Sequence, residues 1–311
     1  MEFFSKPTNF PFMATRKVWY GLSAVLMIVC FASFATRGLN YAIDFTGGSS
    51  TAVAFTSAAD VERIRATLEA AQFHEPQVQT FGTSRDVAIR LQPVAGQSSE
   101  LIRERIQTAL TPLDPNVQIS AVEIVGPQVG DELRNSAIWA LVFTLLLIFA
   151  YLAFRFHTWR LSVGAIFAVM HDPILVLGVF SITQTPFDLA VVAAVLAVIG
   201  YSLNDTVVVF DRIRERFEVN RRLPPAVVLD QAINQTLSRT IMTKVVTSIV
   251  VVALLFLGGP VLQGFSEALL IGIVAGTYSS IYISSAVALD FGLTAEHIFP
   301  SVKKTAVDHL P

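Results

Sequence analysis

Six apolar runs, each of about twenty residues, dominate this chain: 18–35, 136–154, 161–182, 189–210, 245–262 and 268–291. A helix rises ~1.5 Å per residue, so a run of this length matches a hydrocarbon core of about 30 Å. Lipid offers no water to backbone N–H and C=O groups, so each run must form its hydrogen bonds internally, as a helix. The chain therefore reads as an α-helical polytopic membrane protein. Composition agrees: 53% of the 311 residues are hydrophobic, 15% are charged, and mean hydropathy is +0.59. The first run has a second reading, because Ser33-Phe34-Ala35 fits a small-x-small signal cleavage site. Its length and its bulky residues up to the end favour a span.

Basic residues set the expected orientation. Lys6, Arg16 and Lys17 lie in the N-terminal tail, 1–17, and Arg155 and Arg160 lie between runs two and three. Arg212, Arg214, Arg216, Arg221, Arg222 and Arg239 fall in the segment 211–244, read here as a basic loop, and Lys303 and Lys304 in the tail 294–311. Segments 183–188 and 263–267 carry no Lys or Arg. With six spans, every basic segment falls on one side, and both termini are expected in the cytoplasm. A net charge of −2 and the lack of a strongly basic stretch outside these loops argue against nucleic acid as a partner. The single cysteine, Cys30, excludes an internal disulfide and a cysteine metal cluster.

The stretch 36–134 then lies outside the membrane and reads as a small α+β domain. Short β-type runs are expected at 51–55, 78–81, 87–91 and 117–125, with a turn containing Gly82 and Ser84. Helices are expected at 57–72, with Ser57 and Asp60 in a capping-box-like start, and at 98–110. The order βαββαβ suggests a ferredoxin-like unit. With one histidine, His74, and no nucleophile–base–acid set, the domain reads as a binding module rather than a catalyst.

Polar residues interrupt the apolar runs. His171-Asp172-Pro173 falls in the third run, Asn204-Asp205 in the inner half of the fourth, and Ser279, Ser280, Ser284 and Ser285 in the sixth. An ionisable group at membrane depth is expensive, and burial pushes a carboxylate toward its neutral form, where it can exchange protons. Asp205 is thus a candidate proton or cation site. Arg239, just before the fifth run, is the nearest candidate cation by sequence, and Asn204 is placed to orient the carboxylate. A packing or solvated role for Asp205 is the competing reading. His171 and Asp172 have the same two readings, with Pro173 expected to break the helix ladder. Gly272 and Gly276, four residues apart, suit close helix packing and put the sixth span in the middle of the bundle.

Four motifs carry a resemblance. YAIDFTGGS (41–49) follows the first span and VGPQVGDEL (125–133) precedes the second; residues 200–215 of the fourth span and NQTLSRTIMT (234–243) complete the set. In that order they resemble the SecF family, the smaller membrane subunits of SecD–SecF secretion accessory complexes. The resemblance implies a six-helix bundle of the resistance-nodulation-division type in the bacterial inner membrane. It implies a separate SecD chain as partner, association with the SecYEG protein-conducting channel, and help to exported pre-proteins drawn from the proton-motive force. No cofactor, metal or enzymatic activity is implied. By position Asp205 matches the family's intramembrane carboxylate, Arg239 its associated base, His171 and Asp172 the third-span pair, and Asp44, Gly47 and Gly48 the motif at the root of the outer domain. The glycine pair reads as a hinge or as a tight turn at a strand end. Rival functions are a half-size efflux or lipid transporter, an intramembrane aspartyl protease pairing Asp172 with Asp205, and a purely structural subunit.

Overall fold

A computed structural model describes residues 8–80, 83–93, 98–156 and 158–299. The expected strand end at Phe81, the turn residue Gly82, Lys6, Lys303 and Lys304 lie outside the described residues. A short strap, 8–15, leads into α1, Arg16–Thr36. The strap is clamped by paired bonds: Asn234 Oδ1 accepts from Phe10 N at 2.9 Å, Asn234 Nδ2 donates to Phe10 O at 2.9 Å, and Asp230 accepts from Met13 N at 2.8 Å.

After α1 the chain makes a one-turn helix α2, Ile43–Thr46, and enters the outer domain. Its elements are β1 Gly48–Ala54, α3 Val61–Ala70, β2 Gln77–Thr80, β3 Asp86–Leu91, α4 Ser99–Leu110, β4 Gln118–Ile119 and β5 Glu123–Val125. The sheet order is β2-β3-β1-β4, with β5 also pairing β1, and all pairings are antiparallel. The expected strand 117–125 is thus two short strands. Asp60, not Ser57, caps α3 by accepting from Arg63 N, and Ser98 caps α4 by accepting from Leu101 N. β3 alternates strictly, with Val87, Ile89 and Leu91 turned inward. They pack against Ile64 and Leu68 of α3 and Ile106 and Leu110 of α4 as a separate core. Truncating a fully buried residue such as Leu110 to alanine costs about 2–5 kcal/mol.

The remaining long helices are α5 Pro127–Arg155, α6 Trp159–Thr183, α7 Leu189–Val219 and α8 Pro225–Leu257. The last span is α9 Gly259–Tyr278, a π turn Ser279–Ile283, and α10 Ser284–Asp290; a one-turn α11, Ala295–Ile298, follows. Among the described residues six helices are long and apolar enough to cross a membrane. Three sequence expectations change. The segment 211–244 is helical apart from the turn around 220–224, because α7 and α8 run on past the apolar runs. Helix α8 stops at Leu257, before Gly258-Gly259, rather than continuing to 262. Helix α6 continues through Pro173 without a break. Missing its N–H, Pro173 withdraws one helical bond from the carbonyl of Val169, and the surrounding helices hold the rest of the ladder.

Helices α7 and α8 have 31 and 33 residues, about 46 and 50 Å at 1.5 Å per residue. Each exceeds a ~30 Å hydrocarbon core, and the excess forms an extension at the basic end. There Phe210, Phe217, Val228, Leu229 and Ile233 pack with Leu152, Phe156 and Leu161. A second core, toward the outer domain, joins Val169, Phe180, Val191, Val198 and Ile199 with Phe45 and Phe187. Glycines set the helix spacing. A Cβ on Gly272 would fall 2.1 Å from Val198 Cγ2, and one on Gly178 2.1 Å from Cys30 Sγ. The sixth span therefore packs closely against α7 through Gly272.

Candidate functional site

Ser202, Asp205 and Thr206 fall at i, i+3 and i+4 on α7, and all three are buried. Asp205 is 6% exposed and Lys244 of α8 is 5% exposed; Lys244 Nζ lies 2.7 Å from Asp205 Oδ2. The same ammonium stands 4.2 Å from the centroid of the Tyr201 ring. Tyr201 sits one turn before Asp205, and its phenol donates toward Thr247 Oγ1 at 2.9 Å and Thr243 O at 3.0 Å. The cation beside Asp205 is therefore Lys244. Arg239 is exposed and takes no part in an ion pair among the described residues. The reason is helical phase. At ~100° per residue, five positions turn Arg239 about 140° away from Lys244. Asn204, about 100° from Asp205, is exposed too and does not orient the carboxylate. Removing one partner of a buried pair leaves an uncompensated charge and costs about 3–5 kcal/mol.

One turn back along α7, Ser202 meets a second buried carboxylate. Asp172 of α6 is fully buried and accepts bonds from Ser202 Oγ and, at 2.8 Å, from Ser279 Oγ. Its other oxygen is 3.1 Å from His171 Nδ1. Gly276 makes this possible: a Cβ there would stand 3.0 Å from Ser202 Oγ and 3.4 Å from Asp172 Oδ2. The π turn begins at Ser279, and its extra residue re-aims the following serines toward the bundle centre. Ser279, Ser280, Ser284 and Ser285 are all buried. His171 Nε2 is buried with no hydrogen-bond partner among the described residues, and the ring rests 5.5 Å from that of Tyr278.

The outer end of α7 is tied to the root of the domain. Asp188 caps the helix by accepting from Val191 N at 2.8 Å, and Asp44 of α2 accepts from Leu189 N at 2.9 Å. Two carboxylates there satisfy N-terminal amides and interact favourably with the positive end of the helix dipole. Burial pushes the Asp188 carboxyl up, offset by its bond from Val191 N. Burial also pulls the Arg90 guanidinium down, while Asp188 and Asp44 hold it up. Between the sheet face and the outer helix ends lies a cleft of about 750 Å³, lined by Ser50, Arg90, Glu123, Asp44, Asp188 and Glu267 among others. Gly47 and Gly48 have φ of +73° and +128°, and a Cβ on Gly48 would fall 2.5 Å from Leu91 O. One on Gly47 would fall 3.0 Å from Pro127 Cα. The pair sits at positive φ against backbone on both sides.

Sequence reasoning missed Lys244, Tyr201, Ser202, Asp188 and Arg90. Lys244 carried a readable signal, since it directly precedes the apolar run 245–262.

The family of protein export membrane proteins SecD/SecF, C-terminal, matches residues 105–294, and the SecD/SecF GG motif matches residues 32–59. The protein translocase subunit SecF of Haemophilus influenzae is 45% identical over 300 residues, covering 96% of this chain and 91% of that protein. The SecF subunit of Pseudomonas aeruginosa is 43% identical, covering 96% and 97%. Among solved structures, SecDF of Thermus thermophilus, described as a translocon-associated membrane protein, aligns with a TM-score of 0.82 at 37% identity. The alignment covers 91% of this chain and 39% of the SecDF chain, so this chain spans well under half of that protein. A SecDF structure in a super-membrane-facing form aligns with a TM-score of 0.68 at the same identity. With its glycine motif at the domain root and its six apolar helices, this chain belongs to the SecF family of protein translocase subunits.

Proposed function

We propose that this translocase subunit works with a separate SecD-type chain in the bacterial inner membrane, using the proton-motive force to help pre-proteins complete passage through a SecYEG-type channel. Asp205 is the ion-coupling group in this reading. The observation that carries it is the buried Asp205–Lys244 pair on α7, a helix whose other end is held by Asp44 at the domain root. Protonation of Asp205 would release Lys244 and shift α7 against α8. A helix is stiff enough to pass that shift to its capped end, and so to the outer domain. Asp172, with its serine donors, is the secondary polar site. Arg239 and Asn204, outside this pair, are assigned to surfaces open to a partner chain.

Both termini are cytoplasmic in this reading, supported by the basic residues gathered at one end of the bundle, and the segment 36–134 is periplasmic. The outer domain is ferredoxin-like, supported by β3 lying between β1 and β2. The helices form a resistance-nodulation-division-like bundle. A protease dyad finds no support, since Asp172 and Asp205 each have their own partners rather than sharing a proton.

The test is export of a reporter pre-protein in vesicles, with and without a proton-motive force, comparing wild type with Asp205→Asn at equal membrane level and equal SecD association. Loss of the force-dependent step alone is expected. Unchanged export would make this a structural subunit.

A further inference from the structure

Lys244 has two adjoining seats. One is the Asp205 carboxylate at 2.7 Å, the other the face of the Tyr201 ring at 4.2 Å. Tyr201 and Asp205 are i and i+4 on α7, so ring and carboxylate lie side by side over the same cation. The ring is anchored from above and below Lys244, through Thr243 O and Thr247 Oγ1 of α8. Neither Lys244 Nζ nor Asp205 Oδ2 has an aligned hydrogen bond among the described residues, so charge alone holds them.

A carboxylate at this depth can be neutralised by a proton or by a metal cation such as sodium. Sodium needs several oxygen ligands and enough space to bind. Here the space in front of Asp205 Oδ2 is filled by an ammonium on the chain itself, and the next surface is a ring face. Admitting sodium would set two positive charges against one carboxylate in a low dielectric. A proton leaves the same net charge beside Lys244 but needs neither a shell of oxygen ligands nor free space. It adds from water to the carboxylate as an O–H bond, giving a neutral carboxylic acid, while Lys244 keeps its three N–H bonds and its charge. The ammonium then needs a neutral seat that still attracts it, and a ring quadrupole is one.

We propose that Lys244 is a resident cation that makes Asp205 selective for protons over sodium, and that Tyr201 is the positioning residue that retains the ammonium once Asp205 is protonated. This rests on Asp205 being the ion-coupling group. Among the described residues, the helices packed around α7 also carry the buried Asp172 and His171 on α6 and the half-buried Tyr278 on α9. Asp172 is held by Ser202 and Ser279, and Asp211 further along α7 is held by Arg155 of α5.

The test is infrared spectroscopy of the full chain in lipid, isolating the carboxylic C=O stretch of Asp205 by subtracting Asp205→Asn. In wild type the band grows as pH falls and is the same in sodium chloride and in choline chloride of equal ionic strength. In Lys244→Met sodium suppresses the band and choline does not, while Lys244→Arg behaves as wild type. Tyr201→Leu moves the band to lower pH without sodium sensitivity, and Tyr201→Phe restores it. Sodium suppression of the wild-type band overturns the resident-cation role even if Lys244→Met fails to fold. An unmoved band in Tyr201→Leu overturns the second seat. Absence of any Asp205 band at every pH overturns the ion-coupling reading and this proposal with it.

Discussion

Replacing Gly272 by alanine tests whether the contact of α9 with α7 sets the geometry of the polar site. The new Cβ would stand 2.1 Å from Val198 Cγ2, 2.6 Å from Cγ1 and 2.9 Å from Cβ. Ordinary carbon contacts are about 3.5–4.0 Å, so the shortest of these falls about 1.5 Å short. Val198 cannot turn aside, because a valine in a helix holds one rotamer about 90% of the time and both methyls face the intruder. The helices must part, which is overpacking of a filled interface, and the expected cost is 1–3 kcal/mol. Parting also lengthens the Ser279–Asp172 bond, now 2.8 Å. The assay is unfolding free energy by steric trapping in bicelles. Gly200→Ala is the control, since nothing lies within 4 Å of its Cβ; it should be neutral or gain up to ~1 kcal/mol from reduced backbone entropy. Val198→Ala combined with Gly272→Ala should recover most of the loss, with a coupling above the ~0.5 kcal/mol expected of independent sites. Gly272→Ala as stable as wild type, or a loss that Val198→Ala does not relieve, would refute the argument.

Three further outcomes are expected. Gly48→Ala puts a side chain at φ +128°, 2.5 Å from a carbonyl; limited proteolysis should show the outer domain loosened, at ~1–3 kcal/mol of strain, while Gly38→Ala, with open space around it, is milder. Hydrogen bonds from Thr56 N and then Thr56 Oγ1 hold the Asp114 carboxyl below the usual range. Its stabilising effect is present above the ordinary value of about 3.9 and is lost as pH falls through the lowered one; in acid unfolding followed by near-UV dichroism, wild type should lose stability more steeply with falling pH yet begin to unfold at the same or lower pH than Asp114→Asn, and a steeper loss in Asp114→Asn contradicts this. Lys244→Gln should cost about 3–5 kcal/mol through the stranded Asp205, whereas Arg239→Gln, at an exposed position, should stay within about 0.5 kcal/mol; equal losses in thermal denaturation would count against the assigned pairing.

The long apolar helices, the α+β character of the small domain and the start of its second helix at Ser98 could be read from the sequence because they depend on local quantities; the first helix begins at Asp60, three residues later than expected. Hydropathy over some twenty residues decides whether backbone can sit in lipid, and Asp60 and Ser98 mark helix starts through bonds only three residues long. The family motifs were legible for the same reason, as contiguous strings. Pairing was not. Asp205 had a basic residue on the next helix in either case, and proximity in sequence pointed to Arg239. The tertiary structure placed Lys244 there because α8 begins at Pro225 and keeps one unbroken phase, so a five-residue difference swings a side chain from the bundle interior to its surface. Ser202 and Ser279 meet Asp172 because Gly276 lets the backbones of α7 and the sixth span approach. Hydropathy belongs to a segment and is additive along it. Which polar groups meet inside a bundle depends on rotation about each helix axis and on the distance between axes, and both are set by the packing of all six helices together.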